Sequence, residues 1–200
     1  MAAFALALLG FYVLLWGAEL LFPRTAASAL VLVAATLAAV FVVRPGWNIR
    51  PGGNAGYCTF LGGLLLASAA AAAGFLRWLE LPVPYDPASL NIGTATVAVA
   101  ASAAALEELL FRQVAFRWLE RRKLPEKQIV LATAAAYGLA HSGGLFAASA
   151  ELRLFYLLLS LYLIWIGMLL GELRRASGSW VVSWLGHLGH NLAVLAVLSI

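Results

Sequence analysis

The sequence predicts an all-α membrane protein, a polytopic bundle of about seven transmembrane helices around an intramembrane polar cavity. Three observations predict it. The 200-residue chain is 64% hydrophobic and only 11% charged, where a soluble domain carries about 25% charged residues. Its mean hydropathy is +0.93, so the polar surface needed to coat a water-soluble globule is missing. Its apolar runs recur at lengths near the roughly 20 residues that cross a hydrocarbon core as helix. Finally, the ionisable residues inside those runs are concentrated in only three of them.

Seven spans are expected near 2–22, 26–43, 57–78, 93–116, 128–148, 153–171 and 180–199. The first lacks a basic n-region and is too long for a signal h-region, so it reads as a retained span. Turn punctuation separates the runs: Pro23, RPGWNIRPGGN at 44–54, LPVPYDP at 81–87 and RRKLPEK at 121–127. The fourth span is the weakest by hydropathy, because it contains Glu107, Glu108 and Arg112. With no repeat and no long linker, residues 1–200 are expected to form one membrane domain. Within it, 1–92 holds spans without motifs and 93–200 holds the motif-bearing core.

The formal charge of +4 is a topology signal in such a chain, with no nucleic-acid partner implied. Loops after spans two, four and six hold nine basic residues: Arg44, Arg50, Arg117, Arg121, Arg122, Lys123, Lys127, Arg174 and Arg175. The opposite side holds Arg24, Arg77 and Arg153. The positive-inside rule then puts the N-terminus and the 117–127 loop in the cytoplasm and the C-terminus opposite. Trp47, Trp78, Trp118 and Trp180 fall near span ends, as an interfacial belt requires. Cys58 stands alone, which excludes an internal disulfide and thiolate metal clusters. Gly167 and Gly171 form a GxxxG spacing that suits either a dimer face or close packing inside the bundle.

A charge in lipid needs a partner, a wet cavity or a task. The three polar clusters are EELLFR at 107–112, YGLAH at 137–141 and HLGHN at 187–191. Successive helical residues project about 100° apart, so Glu107 and Glu108 face different directions. Arg112 is four residues after Glu108, at ion-pair spacing, which leaves Glu107 without a partner on its own helix. Tyr137 and His141 share a face, as do His187 and Asn191, and His190 lies about 60° from His187 around its helix. HSGG loosens the helix after His141. At about 1.5 Å per residue, Glu107, His187 and Asn191 lie roughly 10–16 Å from their cytoplasmic span ends, and His141 about 20 Å. One shared cavity near the midplane is therefore feasible.

These motifs resemble the CPBP intramembrane proteases, which include CAAX prenyl endopeptidases and bacteriocin-processing or immunity proteins. The family pattern is EExxxR, FxxxH and HxxxN on successive membrane helices, here EELLFR, YGLAH and HLGHN. The resemblance covers roughly 93–195. It departs at Gln113, where the family often has glycine, and at Tyr137, where it has phenylalanine. It implies a glutamic-type endopeptidase needing no cofactor and no metal, acting on a membrane-associated protein or peptide. Glu107 and His141 would activate water, His187 and Asn191 would hold the oxyanion, and Glu108 and Arg112 would brace the site. Tyr137 and His190 are additional candidates.

Two alternatives stand beside it. Glu107, His141 and either His187 or His190 could ligate zinc, although HExxH is absent. A non-catalytic immunity or scaffold protein would also carry these residues. A transport relay is disfavoured, because it would string ionisable groups across the whole depth.

Overall fold

The computed structural model describes residues 26–43, 54–80 and 93–198. Among them all regular structure is helical. The helices are α1 (Ala26–Val43), α2 (Ala55–Trp78), α3 (Thr94–Arg121), α4 (Glu126–Ala140), α5 (Gly144–Ala147), α6 (Ala150–Ser177) and α7 (Trp180–Leu198).

Five segments are long and apolar enough to cross a membrane: α2, α3, α4 with α5 (Glu126–Ala147), α6 and α7. They take up the spans expected near 57–78, 93–116, 128–148, 153–171 and 180–199. The described residues thus hold five such segments, against about seven expected from hydropathy. The run at 26–43 is the 18-residue α1. The run at 2–22, and with it the side of the N-terminus, lies outside the described residues.

Local chemistry sets the helix ends. Asn54 caps α2, its Oδ1 accepting from the Tyr57 N–H at 3.0 Å, which satisfies one of the first-turn donors. α4 stops at Ala140, directly before HSGG, and His141 leaves the helix at φ −94°, ψ 1°. α6 runs well past its expected end at 171 and closes on Gly178 at φ 68°, the left-handed region that glycine enters without steric cost. Gly178 N–H donates to the Arg174 carbonyl at 2.9 Å, so the chain reverses tightly into α7.

Polarity decides which helix goes to the centre. Half of the most apolar window of α3 is buried, against 17–39% for the other four spans. Residues 104–113, which contain all three α3 charges of the motif, are buried without a break. Large apolar side chains such as Phe41, Phe60, Phe146 and Leu161 are exposed instead, as a lipid-facing exterior demands.

α4 and α6 approach closely along a ladder of small residues. A Cβ on Gly167 would come within 2.9 Å of Ala134 Cα, and one on Gly171 within 3.0 Å of Val130 Cγ1. One on Gly138 would meet Ile164 Cγ1 and lie 2.7 Å from the Ser160 carbonyl oxygen. The GxxxG face is therefore covered by α4 of the same chain, and it gives no support to a dimer.

Candidate active site

Within α3, residues Leu109–Ala115 are wound as a π-helix. Such segments alter side-chain phase and recur at functional sites. Here the segment begins directly after Glu108 and contains Arg112. Its backbone is supported from α6, where Arg174 Nε donates to the Arg112 carbonyl at 3.3 Å.

Glu107 and Glu108 do project differently, but they do not serve separate places. They straddle one imidazole. His187 Nδ1 is 3.0 Å from Glu108 Oε1, and His187 Nε2 is 3.7 Å from Glu107 Oε2. Neighbouring carboxylates on one helix thus reach opposite nitrogens of a ring on α7. The Glu108 contact is a charge-assisted hydrogen bond that places the ring hydrogen on Nδ1, the way a carboxylate fixes a catalytic or metal-bound histidine.

Glu108 is also paired as its spacing requires. Arg112 Nε is 3.4 Å from Glu108 Oε2, with both side chains fully buried. Arg112 Nη2 donates to the Gly167 carbonyl at 3.1 Å, and the guanidinium lies 5.0 Å from the Tyr137 ring centroid, within cation–π range. Tyr137 is fully buried as well, and its hydroxyl is 3.3 Å from His187 Nε2. Tyrosine where the family has phenylalanine therefore keeps the aromatic shelf under Arg112 and adds a polar contact.

The other carboxylate is held more loosely. Glu107 Oε1 is 3.7 Å from His141 Nε2. His141 Nδ1 donates to the Tyr137 carbonyl at 2.8 Å, which turns Nε2 toward the carboxylate. Its side chain is 27% exposed, whereas that of His187 is 2% exposed. The cluster is thus reached from the His141 side.

Glu107, Glu108, Arg112, Tyr137, His141 and His187 come together across α3, α4 and α7. Asn191 and His190 form a neighbouring group: His190 Nδ1 pairs with Asn191 Oδ1 at 3.2 Å, and His190 Nε2 with the Tyr162 hydroxyl at 2.6 Å. His190 therefore does not join the carboxylates as the zinc alternative allowed. Among the described residues, no group of three or more His, Cys, Asp or Glu side chains is arranged to hold a metal ion.

Sequence reasoning missed Tyr162, the carbonyl of Gly167 and the π-helical segment. A tyrosine set within a leucine-rich span was the available signal for the first. The GxxxG glycines marked a close approach without telling which helix makes it. Gln113 is buried, and its carboxamide oxygen, turned toward Arg117, accepts from Nη1 at 3.0 Å. The departure from glycine is thus absorbed one turn along the same helix.

Residues 90–193, a little over half of the chain, match the Type II CAAX prenyl endopeptidase Rce1-like family. The chain belongs to this family. This Rce1-like protein is accordingly a peptide hydrolase of an intramembrane CAAX-type protease family, embedded in the membrane and acting on a membrane-associated peptide or protein. All three motifs fall inside the matched residues. No curated protein and no solved structure matches the chain.

Proposed function

We propose that this Rce1-like protein is a glutamic-type intramembrane endopeptidase, with Glu107 as general base and His141 as its proton partner. The observation that carries this reading is the pair of 3.7 Å separations from Glu107 to His141 Nε2 and to His187 Nε2. They exceed direct hydrogen-bond length, and a polar contact beyond about 3.5 Å is one a water can bridge. A water at that point meets the carboxylate and both imidazoles.

The chemistry balances through these groups. Glu107 takes a proton as the water oxygen attacks the peptide carbonyl carbon, and the C=O π electrons move onto the carbonyl oxygen. Asn191 donates to that oxyanion. So does His187 from Nε2, when both ring nitrogens carry hydrogen and Glu108 holds Nδ1–H. Glu107 and His141 share the proton and pass it to the amine nitrogen as the C–N bond breaks. Positioned proton transfer typically contributes about 10²–10⁴-fold in rate, and each oxyanion donor about 10²–10³-fold.

Topology follows from charge. Arg117, Arg121, Arg122, Lys123, Lys127, Arg174 and Arg175 lie around the two tight turns that join α3 to α4 and α6 to α7. Arg175 and Glu126 tie these turns together at 3.6 Å. This basic end faces the cytoplasm of a bacterial inner membrane, and the C-terminal end of α7 lies opposite.

The test uses the purified chain in proteoliposomes with an internally quenched peptide ending in a prenylated CAAX sequence. The protein should cleave it, Glu107→Gln should not, and exhaustive chelation should leave the rate unchanged. Normal cleavage by Glu107→Gln overturns the assignment. Loss on chelation that zinc restores transfers it to a metalloprotease. A folded protein inert toward prenylated, leader and sorting-signal peptides alike returns it to the non-catalytic class.

A further inference from the structure

Tyr162 and His190, which the mechanism above does not use, make a hydrogen-bonded chain that ends on Asn191. Tyr162 is half-buried on α6, and its hydroxyl lies 2.6 Å from Nε2 of the buried His190 on α7. His190 Nδ1 lies 3.2 Å from Asn191 Oδ1. A neutral imidazole has one donor nitrogen and one acceptor nitrogen. A carboxamide oxygen opposite Nδ1 requires the hydrogen on Nδ1, so Nε2 accepts and the Tyr162 O–H donates. The donors then run one way, from Tyr162 through His190 to Asn191.

That direction matters at its far end. Because the carboxamide oxygen of Asn191 is engaged by His190, the group left for the substrate is the NH2, which only donates. The reversed chain would have Nε2–H donating to the tyrosine oxygen and Nδ1 accepting from the amide. It would leave the carboxamide oxygen outermost, an acceptor facing a developing negative charge. Oxyanion stabilisation depends on donors fixed before the charge develops.

We infer that Tyr162 and His190 are positioning residues that set the carboxamide of Asn191 with its NH2 toward the scissile carbonyl. The inference rests on Asn191 being an oxyanion donor, as proposed above. Neither residue touches the reacting atoms. Both act through Asn191. A bond that merely ties α6 to α7 would give a stability loss and nothing specific to turnover.

The experiment measures kcat and KM for the full chain in proteoliposomes with the quenched prenylated peptide, beside thermal unfolding in detergent. Tyr162→Phe keeps the ring, and loss of one hydrogen bond should lower kcat about 10-fold with KM unchanged. His190→Leu should lower it about 100-fold, toward the Asn191→Ala rate. His190→Asn, whose amide nitrogen can take the place of Nδ1, should recover most of that loss. In the Asn191→Ala background, Tyr162→Phe should have no further effect. Independently of activity, nitrogen and carbon NMR of the labelled imidazole, assigned by difference against His190→Leu, should show the Nδ1–H tautomer. The inference is overturned by full kcat in folded His190→Leu, by undiminished loss in the Asn191→Ala background, or by an Nε2–H tautomer. Full kcat in Asn191→Ala removes the oxyanion reading itself, a result distinct from an active His190→Leu beside an impaired Asn191→Ala.

Discussion

Glu107 and Glu108 are adjacent in sequence and unequal in surroundings. Glu108 is fully buried, 3.0 Å from His187 Nδ1 and 3.4 Å from Arg112 Nε. Glu107 keeps a little exposure and stands 3.7 Å from each of two histidines, one of them 27% exposed. The difference is between a charge held directly by a guanidinium and an imidazole and a charge whose partners stand back far enough to leave room for a reactant. A carboxylate closed off from solvent between two fixed partners has no room for a water beside it, whereas a loosely held one does. In a span where each unpaired charge costs several kcal/mol, the tight half is what makes the loose half tolerable.

The largest effect should come from the loose half and should be kinetic. Glu107→Gln keeps the shape and removes the proposed base, so kcat should fall about 10²–10⁴-fold. Thermal unfolding in detergent should stay close to the parent, since no close ion pair is lost. A variant that melted early with proportionate loss of activity would erase the contrast, making both glutamates structural.

The tight half should fail the other way. Arg112→Met removes the cation beside Glu108 and leaves a buried charge uncompensated, which typically costs about 3–5 kcal/mol. Reversible unfolding should register that cost, with turnover falling alongside it as His187 loses its fixed partner. Parent-like stability in Arg112→Met would show that His187 alone suffices to hold Glu108.

Much of this contrast was legible beforehand. Glu108 and Arg112 at i and i+4 announce their pairing, and the absence of a helix-local partner marks Glu107. Composition and run length together gave the helical membrane class, and the run lengths placed five of the spans. What was not legible depends on side chains brought from other helices. Spacing separates the two glutamates around α3, but only the position of α7 reveals that one imidazole fits between them. The π-helical turn carries no composition signal, because its residues are ordinary helix formers with a local change of hydrogen-bond partner. Asn191 shares a face with His187 by spacing, yet its carboxamide meets His190 and, beyond it, Tyr162 on α6.

The smallest effects test how the two halves are kept in register by the α4–α6 contact. A methyl on Gly138 would run into Ile164 and lie 2.7 Å from the backbone oxygen of Ser160. Backbone cannot yield as a side chain can, so Gly138→Ala should push α4 outward at a cost of about 1–3 kcal/mol. Tyr137 and His141 flank that position, so turnover should fall more than the tight half is disturbed. Gly171→Ala meets only the end of the Val130 side chain, at 3.0 Å, and that residue can shift by a few tenths of an ångström. The helix preference for alanine over glycine, up to about 1 kcal/mol, opposes the remaining crowding. Gly171→Ala should therefore change stability by less than about 1 kcal/mol and leave kcat at the parent value. Equal damage from the two substitutions would mean that α4 and α6 respond as one rigid unit. The distance of a contact from Glu107 would then not govern its effect on the reaction.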